Sequence, residues 1–306
     1  MDNSPAAARQ MWALFEPVHM VTYFTPAARA AFEQAGLRGF WRGYFAGRAA
    51  PMGTVAAPPV VAAFFVFAPA MVSRALPSVW DLATPADVLA ARQAGATAGL
   101  RELLGLPAGA PAPADLAAAA DELAAAAADL EAGGRALAAA NLALPVPDEP
   151  VARLWHAATI LREHRGDGHI AALVAADLTG AEALMLRVGV DAATAGNHSH
   201  VTAAWPREQM QPARGWTDEE LDHAVTRLAD RGLVDASGVA TAAGVALHRD
   251  IESATDRAAA RPWAALGADR TAELTRLLQP VASASAALLP SPNPVGVPVP
   301  AGAPAV

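Results

Sequence analysis

The chain has 306 residues, a formal net charge of −8 and no cysteine. This length allows two domains with sizeable cores, and the absence of thiols excludes disulfides, thiolate catalysis and cysteine-based metal sites. All 22 basic residues are arginine. The excess of negative charge argues against a general nucleic-acid-binding protein.

Alanine dominates the sequence, and runs of β-branched residues are scarce. Because alanine has the strongest helix propensity, the predicted fold is mainly α. A helical N-terminal domain would pack on a C-terminal winged-helix-like domain, with a short β-hairpin wing as its only strands. The longest apolar run, residues 60–72, is too short to cross a membrane, and the first residues lack signal-peptide features. We therefore expect a cytoplasmic protein with no membrane partner.

Changes in composition divide the chain into four predicted regions. Residues 1–104 form an aromatic-rich helical domain, and residues 105–147 form a linker with an alanine-rich helix. Residues 148–280 form a helical and winged-helix-like domain, and residues 281–306 a disordered tail. The tail ends in a stretch of Pro, Gly, Ala and Val without charge, which has little to bury.

The first predicted helices are marked by proline. A helix from Ala6 to Phe15 should end at Pro17, since proline removes a helical hydrogen bond. A second helix should begin with Thr25 as its N-cap and Pro26 in its first turn. That helix should end at Gly36.

Two aromatic segments follow, at residues 39–51 and 58–69. Gly39, Gly43 and Gly47 recur at intervals of four, so on one helix face they would let another backbone approach closely. The aromatic residues of the two segments are candidates for the walls of a ligand pocket; they are Phe40, Trp41, Tyr44, Phe64 and Phe67. Ordinary packing between helices is the alternative interpretation.

The stretch from Trp155 to His169 concentrates three of the eight histidines and several charges. Its pattern predicts a helix, a stop and a second helix. Gly166 fits a left-handed C-terminal cap, and Asp167 fits the N-cap of the following helix. This predicted helix-turn-helix is the centre of the functional hypothesis.

Histidine is the usual acid or base at neutral pH, and a carboxylate can orient it. We therefore take His164, Asp167 and His169 as candidate catalytic residues. His19 and His156 are candidate ligand-binding residues beside the aromatic walls. The alternative interpretation is that Asp167 only caps a helix and that the histidines are surface or hydrogen-bonded core residues.

A second histidine pair occurs at His198 and His200. Two histidines at this spacing can meet a metal on a loop, but no third ligand is identifiable. We predict a solvated loop here and no metal site in the chain.

The C-terminal half contains the clearest local pattern. Thr217 and Glu220 form a capping box, and a helix, a turn at Ser237 and Gly238, and another helix after Thr241 follow. This order is typical of a winged helix. Residues 228–234 and 241–244 resemble the recognition helix and wing of MarR-type regulators.

The first turn of this helix is acidic. Asp218, Glu219, Glu220 and Asp222 would repel DNA phosphates, whose neutralisation dominates affinity. We therefore expect no DNA partner and interpret the segment as a packing or dimerisation module, with a homodimer as one possible assembly.

Several short motifs together resemble the actinobacterial SalK-like helix-turn-helix family. They are Glu16-Pro17-Val18-His19, the segments 37–45 and 161–169, Gly215-Trp216-Thr217 and Pro262-Trp263. The resemblance covers most of the chain and implies an α-rich protein with a winged-helix portion. It implies no particular reaction.

Three functions remain open at this point. The leading hypothesis is a protein that binds a small hydrophobic or aromatic ligand between the N-terminal aromatic helices and the predicted 156–169 helix-turn-helix. The second is an enzyme of specialised metabolism that uses His/Asp acid–base chemistry or a bound cofactor such as haem. The third is a ligand-responsive MarR-like regulator. No nucleophile motif, phosphate loop or dinucleotide fingerprint is visible, so the cofactor stays unknown.

Overall fold

The computed structural model describes residues 4–194 and 206–288. Within these ranges the secondary structure is helical apart from one isolated antiparallel bridge between Val234 and Ala240. In chain order the described helices are α1 Ser4–Phe24, α2 Pro26–Gln34, α3 Phe40–Ala49, α4 Ala57–Ala63, α5 Pro69–Ser73, α6 Pro85–Leu103, α7 Ala114–Ala128, α8 Ala136–Leu142, α9 Pro150–Ala175, α10 Gly180–Ala193, α11 Arg207–Arg214, α12 Asp218–Asp230, α13 Ala242–Ala258, α14 Arg261–Leu266 and α15 Ala268–Ala286. The prediction of a mainly α fold is confirmed.

Threonine N-caps fix the start of several helices. The side chain of Thr25 accepts a hydrogen bond from the Ala28 backbone N–H at the start of α2. Threonine also caps four later helices, at Thr84, Thr179, Thr217 and Thr241. Such a cap contributes about 1 kcal/mol and depends only on nearby residues, and the helix starts predicted at Thr25, Thr217 and Thr241 are confirmed.

Helix α1 continues through Pro17, so the predicted end at this proline is wrong. An internal proline costs about 3 kcal/mol through the lost hydrogen bond and a clash with the preceding turn. The burial of residues on both sides of Pro17, including Leu14 and Val18, offsets that cost. Helix α15 likewise runs through Pro280.

Helix α9 is one continuous helix of 26 residues, and the predicted stop at Gly166 and Asp167 is wrong. Sixteen of these residues are buried, because α9 packs against α1, α6, α7, α8 and α13. A glycine inside a helix costs only about 1 kcal/mol relative to alanine, which packing on this scale outweighs. No helix-turn-helix therefore exists at residues 156–169.

The hydrophobic core has three parts. The first joins α1, α6, α7, α9, α14 and α15, so helices from both ends of the chain share it. The second is aromatic and lies among α2 to α6. The third joins the end of α9 to α10, α12 and α13. Helix α9 thus contributes to the first and third parts of the core. Helix α3 lies at the edge of the second part and contacts α9 through polar side chains.

The C-terminal segment has the order α10, α11, α12, bridge and α13. Helices α11 and α12 are joined at Gly215, whose φ of 76° lies in the left-handed region. Between α12 and α13 the described chain forms the single Val234–Ala240 bridge rather than an extended hairpin. The Ala240 N–H donates to the Gly189 carbonyl at 3.0 Å, so this turn packs directly on α10.

Two helices, α14 and α15, complete the described part of the chain. Residues 261–266 form the short helix α14. Residues 281–286 of the predicted tail belong to α15, where Val281 and Ala282 are buried. The rest of the tail from residue 289, and the segment from Asn197 to His200, lie outside the described residues.

The helices were also compared with the length and hydropathy of a membrane span. Among the described residues no single helix is both long and apolar enough to cross a membrane. Helices α9 and α10 meet the criterion only as a pair, and the angle between them is 93°.

Candidate functional site

Helix α3 lies close to α2 because two of its glycines face a phenylalanine ring. A Cβ atom on Gly43 would lie 3.1 Å from the Phe32 ring, and one on Gly47 would lie 2.8 Å from it. Nothing lies within 4 Å of such an atom on Gly39. The predicted close approach is therefore made by a side chain, not by another backbone.

A small, partly open cleft lies where α1, α2 and α3 meet, and its volume is about 20 Å³. We call it the aromatic cleft. Its lining residues are Thr22, Tyr23, Arg29, Phe32, Glu33, Leu37, Gly39, Phe40, Gly43 and Tyr44. Phe40 is the exposed aromatic at its rim, with 39% of its surface accessible.

Two tyrosines form the wall between the aromatic cleft and the protein interior. The ring centroids of Tyr23 and Tyr44 are 4.9 Å apart. Their hydroxyls bind buried groups on the inner side: Tyr23 Oη lies 2.9 Å from His19 Nε2, and Arg48 Nη1 donates to Tyr44 Oη at 3.1 Å. Only the side chains of Tyr23 and Tyr44 therefore separate the cleft from the buried polar groups His19 and Arg48.

The tautomer of His19 follows from its partners. The Thr159 hydroxyl donates to the Trp155 carbonyl at 2.9 Å, so it accepts from His19 Nδ1–H at 3.0 Å. Burial holds the pKa of His19 well below its ordinary value, and Arg162 lowers it further. The imidazole is neutral at physiological pH, and its Nε2 accepts the hydroxyl proton of Tyr23.

Behind the tyrosine wall lies a buried ionic cluster of Glu16, Arg48, Arg162 and Glu163. Arg48 binds Glu163 through two parallel hydrogen bonds of 3.1 and 2.9 Å. Arg162 donates to Glu163 at 2.8 Å and to Glu16 at 3.2 Å. Burial would raise the pKa of Glu163, but Arg162 and Arg48 hold it well below its usual range. Arg48, Arg162 and Glu163 are therefore charged at neutral pH.

Arg92 adds a further buried cation on the far side of α3. It donates to the Gly47 carbonyl at 3.0 Å and to Asn141 Oδ1 at 3.1 Å, and it lies over the Trp155 ring. Burial lowers its pKa to about 10, so the guanidinium stays charged at neutral pH. No carboxylate of the described residues forms an ion pair with it.

The other predicted polar residues lie along α9 but point to different neighbours. His156 is buried near Arg92, and burial lowers its pKa to about 4. Asp167 Oδ2 accepts from the Ala138 N–H at 2.9 Å, so it binds the first turn of α8. His169 Nδ1 lies 2.9 Å from Thr255 Oγ1 on α13.

His164 lies near Arg135, and burial lowers its pKa to about 4. Arg135 donates to the backbone carbonyl of His164 and interacts electrostatically with Asp167. His164 and Asp167 thus share one neighbourhood, whereas His169 faces α13. The structure does not bring the three candidate catalytic side chains to one point, and none of them lines the aromatic cleft.

Of the predicted aromatic walls, Phe40 and Tyr44 line the cleft. Phe64 and Phe67 pack in the second core instead, with Trp41 partly buried against them. The Arg48 guanidinium lies 4.1 Å from the centre of the Phe64 ring, so this core forms the floor beneath the ionic cluster.

Sequence reasoning missed Thr22 and Tyr23. Tyr23 follows His19 by one helical turn, and this spacing would have joined the two side chains on one face. The signal was lost because α1 was expected to end at Pro17.

We predict that Asp167→Asn increases stability at neutral pH. Burial raises the pKa of Asp167 from 3.8 to about 6. A raised carboxyl pKa gives stability that is present at low pH and lost as the pH rises through about 6. Asparagine carries no charge and still accepts from Ala138, so the free energy of unfolding should rise by about 1–3 kcal/mol.

Urea unfolding at several pH values checks this prediction. The gain should disappear below about pH 4, where the aspartate is protonated in both the folded and the unfolded chain. Asp167→Ala is the comparison, because it removes the acceptor for the Ala138 N–H together with the charge. An Asn variant that is less stable than the parent at neutral pH would contradict the assignment.

No group of three or more metal-ligating side chains is present among the described residues. The architecture is that of an all-helical protein in which a buried ionic cluster adjoins an aromatic cleft. By sequence the chain belongs to a helix-turn-helix family, whose model matches residues 8–290. Neither a curated protein nor a solved structure matches the chain.

Proposed function

We propose that this protein binds a small organic molecule in the aromatic cleft. The observation that carries the proposal is the double role of Tyr23 and Tyr44. Their rings line the cleft, and their hydroxyls are held by His19 and Arg48. An apolar cleft with a few fixed polar groups is the usual form of a ligand site.

The buried ionic cluster supports this proposal through its energetics. Taking charges out of water is expensive, and apolar residues of similar volume often give equal or greater stability. Stability alone is therefore a weak reason for Arg48 and Glu163 to be charged. Holding the Tyr44 hydroxyl in place beside the cleft is a reason that apolar residues cannot supply.

The closed cleft has room for about one water molecule. A larger ligand requires Phe40 to move, and the position of this residue allows it. The Phe40 ring stacks on Tyr44 and Phe24 with centroid distances of 6.0 and 6.2 Å and meets the neighbouring Trp41 ring edge-on at 4.9 Å, while 39% of the residue is exposed to solvent. We infer that Phe40 opens the cleft and then covers the ligand.

A panel of benzoate, benzamide and benzylamine tests the proposal by isothermal titration calorimetry. These probes share one aromatic ring and differ in charge. We expect saturable binding of at least one probe and a severalfold loss of affinity in Phe40→Ala, which removes part of the cleft wall. The control is Val174→Ala, an exposed apolar position on α9. If no probe bound, or if Phe40→Ala left every affinity unchanged, the proposal would be wrong.

A ligand-responsive regulator is the second candidate, and membership of a helix-turn-helix family favours it. The motifs quoted above support placing the chain near the SalK-like group of such proteins. The short helix α11, Gly215 and α12 follow the order of a DNA-binding motif, but the exposed first turn of α12 carries Asp218, Glu219 and Glu220. Because these carboxylates would repel phosphates, we propose that α12 does not read DNA and that any regulatory output passes through another surface.

A further inference from the structure

The aromatic cleft contains a buried hydroxyl without a partner. Thr22 lines the cleft and is only 2% exposed, yet its Oγ1 forms no hydrogen bond with any described residue. Buried polar groups are nearly always paired, so an exception needs an explanation. A threonine on a helix can bond the carbonyl one turn earlier, as Thr25 does with Val21, but Thr22 does not.

Tyr44, whose ring lines the same cleft, carries a second hydroxyl, which lies against Arg48. Its oxygen accepts from Arg48, and among the described residues it donates to no acceptor. An oxygen that already accepts from a cation is a stronger donor through its own proton. Tyr23 differs, because its proton is already used by His19.

The electrostatics behind these hydroxyls favour a negative charge. Three buried cations, Arg48, Arg92 and Arg214, and the partly buried Arg162 lie around two buried carboxylates, Glu16 and Glu163. The formal balance is therefore positive. At the rim of the cleft, Arg29 and Glu33 cancel. Charges act strongly over short distances in such a desolvated region.

We propose that the ligand of the aromatic cleft presents an anionic oxygen, most simply a carboxylate, to the hydroxyls of Thr22 and Tyr44. An anion accepts hydrogen bonds and donates none, which matches two free donors. Its negative charge offsets part of the surplus positive charge of the interior, and its apolar body lies between Phe32, Leu37 and Phe40. This inference rests on the proposed function and specifies its ligand class.

Benzoate and benzamide separate charge from shape, because the two probes are nearly isosteric. We expect benzoate to bind at least about tenfold more tightly than benzamide at neutral pH, as expected for a hydrogen bond to a charged group. Thr22→Val and Tyr44→Phe each remove one hydroxyl and keep the shape of the side chain. Each should weaken benzoate by about tenfold and leave benzamide nearly unchanged.

Thr22→Val should also keep or raise the melting temperature, because it removes a buried hydroxyl that has no partner in the free protein. Thr97→Val is the matched control. Thr97 Oγ1 on α6 is likewise buried without a partner but lies outside the cleft. This variant should change the melting temperature in the same direction and leave benzoate binding intact.

The results distinguish this inference from the proposed function. Benzamide or benzylamine binding as tightly as benzoate, with the affinity still reduced by Phe40→Ala, would overturn the anion inference and leave the binding function standing. Benzoate affinity that is unchanged in both hydroxyl variants would do the same. If no probe binds at all, the proposed function itself fails.

Discussion

Replacing Glu163 with leucine is expected to lower the free energy of unfolding by about 3–5 kcal/mol. Glu163 is 2% exposed and is the carboxylate partner of Arg48. Its removal leaves the Arg48 guanidinium buried without a counterion, while Arg162 keeps Glu16. Leaving a buried charge unpaired is far more damaging than losing an exposed ion pair.

The double variant Arg48→Met/Glu163→Leu provides the control for this prediction. It removes the pair and leaves the Arg162–Glu16 pair in place, so no uncompensated charge arises within the ionic cluster. We expect it to recover most of the stability lost in Glu163→Leu. The midpoints and slopes of urea unfolding curves measure the stability of the single and double variants. Glu273→Ala, which breaks an exposed ion pair with Arg276, should change neither the midpoint nor the slope. A double variant as unstable as the single one would show that Arg48 and Glu163 do not act as a pair.

Acidification is expected to destabilise the protein between about pH 6.5 and about pH 4. Burial lowers the pKa of both His156 and His164 to about 4, and the pKa values of His19, His169 and His248 are also lowered. In the unfolded chain these histidines bind protons near pH 6.5, whereas in the folded chain they do not. The stability from their neutral forms is therefore present above pH 6.5 and is lost as the pH falls.

The size of this effect is on the order of 2–3 kcal/mol for each of His156 and His164 at the acid end. Asp167 acts in the opposite sense, since its raised pKa makes the folded state bind a proton in the same range. The combined effect of the five histidines on stability is larger than that of the one aspartate. The free energy of unfolding should therefore fall as the pH is lowered. Thermal unfolding from neutral to acidic pH measures it.

His156→Leu should flatten the pH profile of stability, because it removes one titrating side chain. His156 suits this test since its Nε2 has no hydrogen-bond partner among the described residues. The comparison is His223→Gln, at an exposed position of α12, which should leave the profile unchanged. A melting temperature that stays constant down to about pH 4 would contradict the burial of these imidazoles.

Local chemistry made a large part of the helical architecture predictable. Thr25, Thr84, Thr179, Thr217 and Thr241 each mark the start of a helix, and each acts through atoms within three residues of itself. All the residues that form such a cap are neighbours in the sequence, so the sequence alone is enough to predict it. The same holds for the alanine-rich composition, which favours helices over strands.

Breaks in helices were predicted less well, because a local penalty does not reveal what packing offsets it. Pro17, Gly166 and Pro280 all carry unfavourable helix propensities, yet α1, α9 and α15 continue through them. Each helix is packed into the first core over most of its length. Burial of several large side chains contributes more than one lost hydrogen bond or one glycine removes.

The candidate site, too, was predictable from the sequence only in part. The sequence by itself indicated Phe40 and Tyr44 as pocket walls and singled out His19, since aromatic and histidine residues stand out in an alanine-rich chain. The contact between Tyr23 and His19 lies within one helical turn and was missed because α1 was expected to end at Pro17. Only the tertiary structure placed Arg48 on Glu163, a pair separated by 115 positions in the chain. The physical reason is that a buried charge is tolerated only beside its partner. Which carboxylate lies beside which guanidinium depends on how α1, α3 and α9 pack, and no local pattern records that.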